Sequence, residues 1–112
     1  MIEVSQRRFE EMVGAALDTL PPRFTKVMRN VVVVTEDGTD PHLLGLYIGI
    51  PLTERTSHYS AVLPDQIIIY KNSICARCTT DSEVVEEVRR TVIHEVGHHF
   101  GIDDDRLHEL GW

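Results

Sequence analysis

Residues 81–104 read DSEVVEEVRRTVIHEVGHHFGIDD, and this stretch decides both the architecture and the chemistry of the chain. The preceding Thr80 forms a capping-box pattern with Glu83, in which the two side chains satisfy free backbone N–H groups at a helix start. Apolar residues then recur at helical spacing along one side. Because Gly101 is suited to end such a helix, the pattern predicts one long helix from about residue 81 to about residue 99.

Two histidines lie four residues apart on this helix, in the pattern His94-Glu95-x-x-His98. Residues four apart share a helix face, so the two imidazoles can hold one metal ion between them. They point roughly 150° away from the apolar side, which argues against buried core histidines. Glu95 lies about 100° round the helix, where it can serve as general base on a metal-bound water. His99 falls within the apolar arc and is predicted to pack rather than to bind metal.

A catalytic zinc ion needs a third protein ligand and an open position for water. Asp104 lies six residues after His98, beyond a glycine that lets the chain turn back beneath the metal. We therefore predict that His94, His98 and Asp104 bind Zn²⁺, or another divalent metal in its place. Alternatives to Asp104 as third ligand stay open, namely Asp103, His108 and Glu109.

The residues before the long helix predict a further helix and a small sheet. An amphipathic helix is predicted over residues 5–20, with Ser5 as its N-cap and a proline pair after it. β-Branched and apolar runs predict three strands, the first of them buried. The predicted ranges are strands at 31–34, 43–50 and 66–74, a helical turn at 23–29 and a last helix at 104–110. The predicted fold is α+β, a sheet of three or four strands backed by helices in a single domain over residues 1–112.

The second predicted strand has two unlike faces. One face carries large apolar residues from Leu44 to Ile50, and the other carries Tyr47 between Gly45 and Gly49. Glycines at alternate positions indicate either a bulge or close packing, or room for a ligand or a substrate backbone. A long polar loop follows, and long loops in small domains are often functional. The candidates for binding substrate and stabilising an oxyanion are Tyr47, His58 and Tyr59.

Two cysteines, Cys75 and Cys78, form a Cys-x-x-Cys pattern before the long helix. Such a pair near a helix start can take part in redox or metal chemistry. A structural zinc site would need a second pair of ligands, and two cysteines are too few for a disulfide scaffold. The sequence therefore favours two thiols without a chemical role and leaves the redox or metal role open.

Charge and hydropathy exclude several classes of protein. The net charge is −7, and residues 81–112 hold nine carboxylates against three arginines, while residues 1–80 hold nine against eight basic residues. This acidity suits a cation and argues against nucleic acid as a partner. No apolar stretch approaches the length of a membrane span, and the N-terminus lacks the apolar core of a secretory signal. We therefore expect a cytoplasmic protein with no membrane partner.

The extended run His94-Glu95-x-x-His98-x-x-Gly101-x-x-Asp104 resembles the motif of metzincin-type zinc metallopeptidases, in the variant with aspartate as third ligand. The chain as a whole resembles small bacterial zincin-like proteins. The resemblance implies a minimal zincin-like fold, an active-site helix near the C-terminus, and hydrolysis of a peptide bond in a peptide or protein substrate. The three methionines all precede the motif, so this sequence departs from the metzincins in having no methionine turn after it.

Two other functions fit parts of the pattern. A metal-binding domain with weak or no catalysis is favoured by the missing methionine turn and by the short stretch of 14 residues after His98. The spacing also resembles metal-dependent endoribonucleases that mature ribosomal RNA, although Asp104 stands where their pattern has its last histidine and Glu95 follows the first.

Overall fold

The computed structural model of the chain describes residues 1–49 and 64–100. In chain order the elements are α1 (Gln6–Asp18), α2 (Pro22–Val27), β1 (Val31–Glu36), β2 (Gly45–Ile48), β3 (Asp65–Tyr70), α3 (Lys71–Ala76) and α4 (Asp81–His99). Three predicted features lie outside the described residues: the end of the second strand at Ile50, the loop with His58 and Tyr59, and the last helix. The α+β class and the small sheet are confirmed.

The first helix, α1, forms where its sequence predicts it. The Ser5 hydroxyl accepts a hydrogen bond from the backbone N–H of Arg8 at 3.1 Å, which satisfies a free donor of the first turn. The helix buries a face of residues spaced three and four apart and packs beside α4. That face consists of Phe9, Met12, Val13 and Ala16. The short helix α2 follows the proline pair and adds Phe24 to the core.

The long helix α4 spans 19 residues, as predicted. At its start the Thr80 hydroxyl accepts a hydrogen bond from the Glu83 N–H, and the Glu83 carboxylate accepts one from the Thr79 N–H. Its apolar stripe is fully buried and consists of Val84, Val88, Val92 and Val96. Among the helices of the described residues, α4 included, none combines the length and apolarity needed to cross a bilayer.

The sheet has three strands in the order β1-β3-β2. β3 is central and pairs in parallel with β1, with Val33 opposite Ile67. β2 pairs with the other side of β3 in antiparallel register, with Tyr47 opposite Ile67. β2 is therefore an edge strand, and it contacts α4.

The two faces of the sheet differ in burial. Ile67 and Ile69 are fully buried on the face that packs against the helices. On the other face, four residues of the two outer strands have exposed fractions between 37% and 40%, namely Val32, Val34, Leu46 and Ile48. The prediction of a buried first strand is therefore wrong for Val32 and Val34, because β1 is an outer strand with one face toward the core.

The third strand is shorter than its apolar run suggests. It ends at Tyr70, and the chain continues directly into α3. Hydrogen bonds to the β1–β2 connection hold this turn, from the Asn72 N–H to the Asp37 carbonyl and from the Ser73 hydroxyl to the Asp40 carbonyl. The prediction that this strand continues to residue 74 is wrong. Ile74 is buried, but it belongs to α3 and not to the sheet.

Gly45 brings β2 close to α4. A Cβ atom at this position would lie 2.6 Å from Cγ2 of Thr91 and 3.1 Å from the backbone oxygen of Ile68. No side chain fits between the strand and the helix there. Of the two interpretations that the sequence left open for this glycine, close packing is confirmed.

We expect Gly45→Ala to lower the free energy of unfolding by about 1–3 kcal/mol, because the added methyl group must push β2 away from α4. Gly14→Ala is the matched control, since a Cβ there meets nothing within 4 Å on a helix, and it should raise stability by up to about 1 kcal/mol. Urea unfolding followed by circular dichroism measures both. Equal stability of the Gly45→Ala variant and the parent would contradict the contact.

Candidate functional site

His94 and His98 lie side by side near the C-terminal end of α4. Their ring centroids are 6.1 Å apart and the ring planes are nearly perpendicular, at 89°. His94 is half-buried and His98 is exposed, whereas Val92 and Val96 are fully buried on the other side of the helix. Zinc–nitrogen bonds are about 2.1 Å long, so rings at this separation can reach one ion from two sides.

Glu95 lies next to this pair and is half-buried. Its carboxylate accepts a hydrogen bond from the backbone N–H of Tyr47 on β2. Burial raises the pKa of Glu95 above its usual value, while His98, the Tyr47 amide and His94 each act to lower it. Desolvation outweighs the three favourable contacts, so the carboxyl group binds a proton more readily than an exposed glutamate does.

The register of the sheet explains why a backbone amide reaches Glu95. The Tyr70 N–H donates to the Leu44 carbonyl at 2.9 Å, which makes Leu44 a residue whose backbone groups face β3. Inward and outward backbone groups alternate along an antiparallel edge strand. The amide of Tyr47 therefore points away from the sheet, toward α4.

The side chain of Tyr47 is held between two neighbours. Its hydroxyl donates a hydrogen bond to Asp65 at 2.8 Å. Its ring stacks on His99, with centroids 3.8 Å apart and an interplanar angle of 16°. The Nε2 atom of His99 lies 3.8 Å from the same Asp65 oxygen. His99 thus packs against the edge strand, as predicted, with 38% of its side chain exposed.

An open cavity of about 380 Å³ lies between the segment leading into β2 and the outer face of α4. Its lining includes His94 and Glu95 together with two cations, Arg77 and Arg90. Between these cations lies Glu87, whose side chain is 16% exposed, with Arg77 at 3.8 Å and Arg90 at 3.4 Å. The predicted metal-binding face of α4 therefore opens onto a space that can hold part of a ligand.

The predicted third ligand, Asp104, lies outside the described residues, as do its alternatives Asp103, His108 and Glu109. Within residues 1–49 and 64–100 no group of three histidine, cysteine or acidic residues could hold a metal ion. The described part of the site nevertheless fits zinc in its chemistry. It offers two neighbouring imidazoles on an accessible face and a carboxylate beside them, as catalytic zinc sites do.

The two cysteines are buried and free. Cys75 lies in α3 and Cys78 follows it, rather than both lying in a loop. Burial raises the pKa of both thiols, so the reactive thiolate form is disfavoured. This supports the interpretation of two thiols without a chemical role.

Sequence reasoning found the two histidines and Glu95 but missed several neighbours. Tyr47 was singled out for its side chain, whereas its backbone amide makes the contact with Glu95. Asp65 and Arg77 carried no recognisable signal. Arg90 lies one helical turn before His94, so helical spacing alone could have placed it beside the site.

Two comparisons with known proteins found similarity to this chain. The family model described as a zincin-like metallopeptidase matches residues 28–112. A solved structure described as a conserved hypothetical protein from Thermus thermophilus is similar, with a TM-score of 0.56. It is 23% identical in sequence, and the match covers 87% of this chain and 94% of that chain, which supports the fold alone. No curated protein matches the sequence.

We expect Glu95→Gln to be more stable than the parent at pH 8 in metal-free buffer, and the difference to vanish near pH 4. The folded pKa of Glu95 is raised, so the parent loses stability as pH rises from the unfolded value of about 4.3 through the folded value. Glutamine carries no charge to bury and keeps an acceptor for the Tyr47 N–H. Chemical unfolding across this pH range measures the difference. A difference that is constant with pH would contradict burial as the cause.

Proposed function

This chain belongs to the zincin-like metallopeptidase family, and we propose that it is a zinc-dependent hydrolase of peptide bonds. The observation that carries the proposal is the arrangement on α4. His94 and His98 are neighbours on an accessible face, and Glu95 is half-buried beside them with its carboxylate held by the edge strand. An open cavity lined by His94 and Glu95 adjoins this arrangement.

The proposed ligands of the metal are His94, His98 and Asp104. When bound, a zinc ion supplies a Lewis acid that polarises the substrate carbonyl and makes a water molecule acidic near neutral pH. The helix holds both imidazoles one turn apart without any loop between them. The packing of α4 therefore sets the backbone positions of both residues.

Glu95 is the proposed general base. It accepts the proton of the attacking water and passes it to the nitrogen of the leaving amine. Both steps require a carboxyl group that gains and loses a proton near neutral pH, and the raised pKa of Glu95 favours this. The hydrogen bond from the Tyr47 N–H holds the carboxylate beside β2.

The proposed substrate is an extended peptide that lies beside the outer edge of β2 as an additional strand. Backbone hydrogen bonds provide affinity in this mode, and side-chain pockets provide specificity. The oxyanion donor remains one of the predicted three residues, Tyr47, His58 or Tyr59. Because the Tyr47 hydroxyl already donates to Asp65, it would have to exchange that partner to serve as this donor.

We expect the purified protein to bind about one equivalent of zinc and His94→Ala to weaken this binding at least tenfold, because one of the three proposed ligands is lost. His42→Ala is the control, since His42 is exposed, lies beside the cavity and is not a proposed ligand. Metal content after dialysis against a zinc buffer provides the measurement. Unchanged zinc content in His94→Ala would contradict the ligand assignment.

We expect Glu95→Gln to keep its zinc but to lose hydrolysis by a factor of about 10² or more, the usual contribution of a general base. A peptide library digested with the zinc-loaded protein and read by mass spectrometry measures this. Parent-like hydrolysis by Glu95→Gln would refute the role of Glu95. A zinc-loaded parent that cleaves no peptide would favour a non-catalytic metal-binding domain, and cleavage of RNA instead would favour the nuclease.

A further inference from the structure

The cavity beside His94 and Glu95 contains a pair of cations that the proposed chemistry does not use. Arg77 and Arg90 both line it, and their side chains are 53% and 56% exposed. They share the carboxylate of Glu87, at 3.8 Å and 3.4 Å respectively. Arg90 Nη1 donates one long hydrogen bond to Glu87, and Arg77 is only ion-paired to it. Each guanidinium group has five N–H donors, so both keep donors for a further acceptor.

Within residues 1–49 and 64–100, the other carboxylate near this pair binds it only weakly. Glu86 approaches Arg90 only at 3.9 Å, is itself 54% exposed, and also serves Arg89. Glu87 is the less exposed carboxylate and faces two arginines at once. The wall of the cavity at this point therefore presents two half-exposed guanidinium groups, whose charge is balanced by Glu87 and Glu95 in the same lining. The net charge of distant residues is largely screened beyond about 8 Å in physiological salt.

The position of Arg90 relative to the reacting centre follows from helix geometry. It precedes His94 by four residues, which is about 6 Å along the axis of α4. An extended peptide advances about 3.3 Å per residue, so two residues cover a similar distance. A group that meets Arg90 therefore belongs to a residue about two positions from the bond that is cleaved.

The direction of the peptide follows from the packing of β2 on α4. Gly45 lies against Thr91, and the Tyr47 amide lies against Glu95, so strand and helix run in the same direction. A peptide that pairs with β2 in the more stable antiparallel sense runs the opposite way. Its residues after the cleaved bond then pass the start of β2, where Arg90 and Arg77 lie.

We propose that this cavity is a carboxylate subsite, in which Arg90 and Arg77 bind a substrate carboxylate about two residues on the C-terminal side of the cleaved bond. Guanidinium groups bind carboxylates through paired N–H donors, which suits both an acidic side chain and a C-terminal carboxylate. The proposal rests on the proposed function for the location of the cleaved bond. It adds the class of substrate, a peptide with a negative charge at that position.

The test measures binding to zinc-loaded Glu95→Gln protein, so that no turnover is needed. The probes are fluorescent peptides with three residues before the cleaved position and an Ala-Ala bond there, in four forms. Two are hexapeptides with Asp or Asn as the second residue after that bond, and two are pentapeptides that end at that residue with a free carboxylate or an amide. Fluorescence polarisation gives the affinities, and the Asp/Asn and acid/amide ratios show which source of carboxylate is used.

We expect the preferred carboxylate form to bind about tenfold more tightly than its neutral partner. Arg90→Gln or Arg77→Gln should each reduce this ratio by about threefold to fivefold, in line with half-exposed ion pairs. Arg90→Lys should retain part of the preference for the charged peptide, because the positive charge remains. Arg89→Gln is the matched control, since it removes a neighbouring charge from the same helix, and Arg89 is not among the residues that line the cavity.

Equal affinities of the charged and neutral forms, or no binding of any form, would overturn the carboxylate subsite. The same holds if Arg89→Gln reduces the ratio as much as Arg90→Gln does, or if Asp is preferred two residues before the central bond in a fifth peptide. Hydrolysis by the parent protein is scored separately. Cleavage without a charge preference would support the peptidase function and contradict the subsite. A charge preference in binding without cleavage would support the subsite and contradict the peptidase function.

Discussion

The close contact between β2 and α4 at Gly45 determines the geometry of the candidate site. Without a side chain at Gly45, the edge strand approaches the helix until Thr91 fills the space. This distance lets the amide of Tyr47 reach the carboxylate of Glu95 two residues further along the strand. The buried valine stripe of α4 fixes the rotation of the helix, so that the opposite face presents His94 and His98. The histidine pair and its acidic neighbour are thus positioned by packing.

The site combines two electrostatic environments along one helix face. Near the C-terminal end, burial raises the pKa of Glu95, and two imidazoles lie beside it. One turn earlier, Arg90 and Arg77 surround a single poorly exposed carboxylate. A bound cation and a bound substrate anion would therefore occupy neighbouring positions. The overall acidity of the chain, at −7, does not predict this local division.

Most of the fold could be predicted from sequence periodicity, and the errors share one cause. Both long helices appear where their caps and apolar spacing place them. The strand ending at Tyr70 was predicted four residues too long, because apolar Ile74 is equally compatible with a buried helix. Val32 and Val34 were predicted as buried, because a β-branched run does not reveal how many faces of a strand are covered. In each case burial depends on partners that are distant in the chain.

The sequence by itself determined the family, the long helix, and the neighbouring placement of His94, Glu95 and His98, because residues within one helical turn have a fixed relation. Only the tertiary structure decided that Tyr47 meets Glu95 through its backbone and that Asp65 holds the Tyr47 hydroxyl. It alone brought Arg77 beside Arg90 from a separate segment. These contacts join segments that are far apart in the chain. Strand register and helix packing determine which of their atoms meet, and local sequence spacing does not encode either of them.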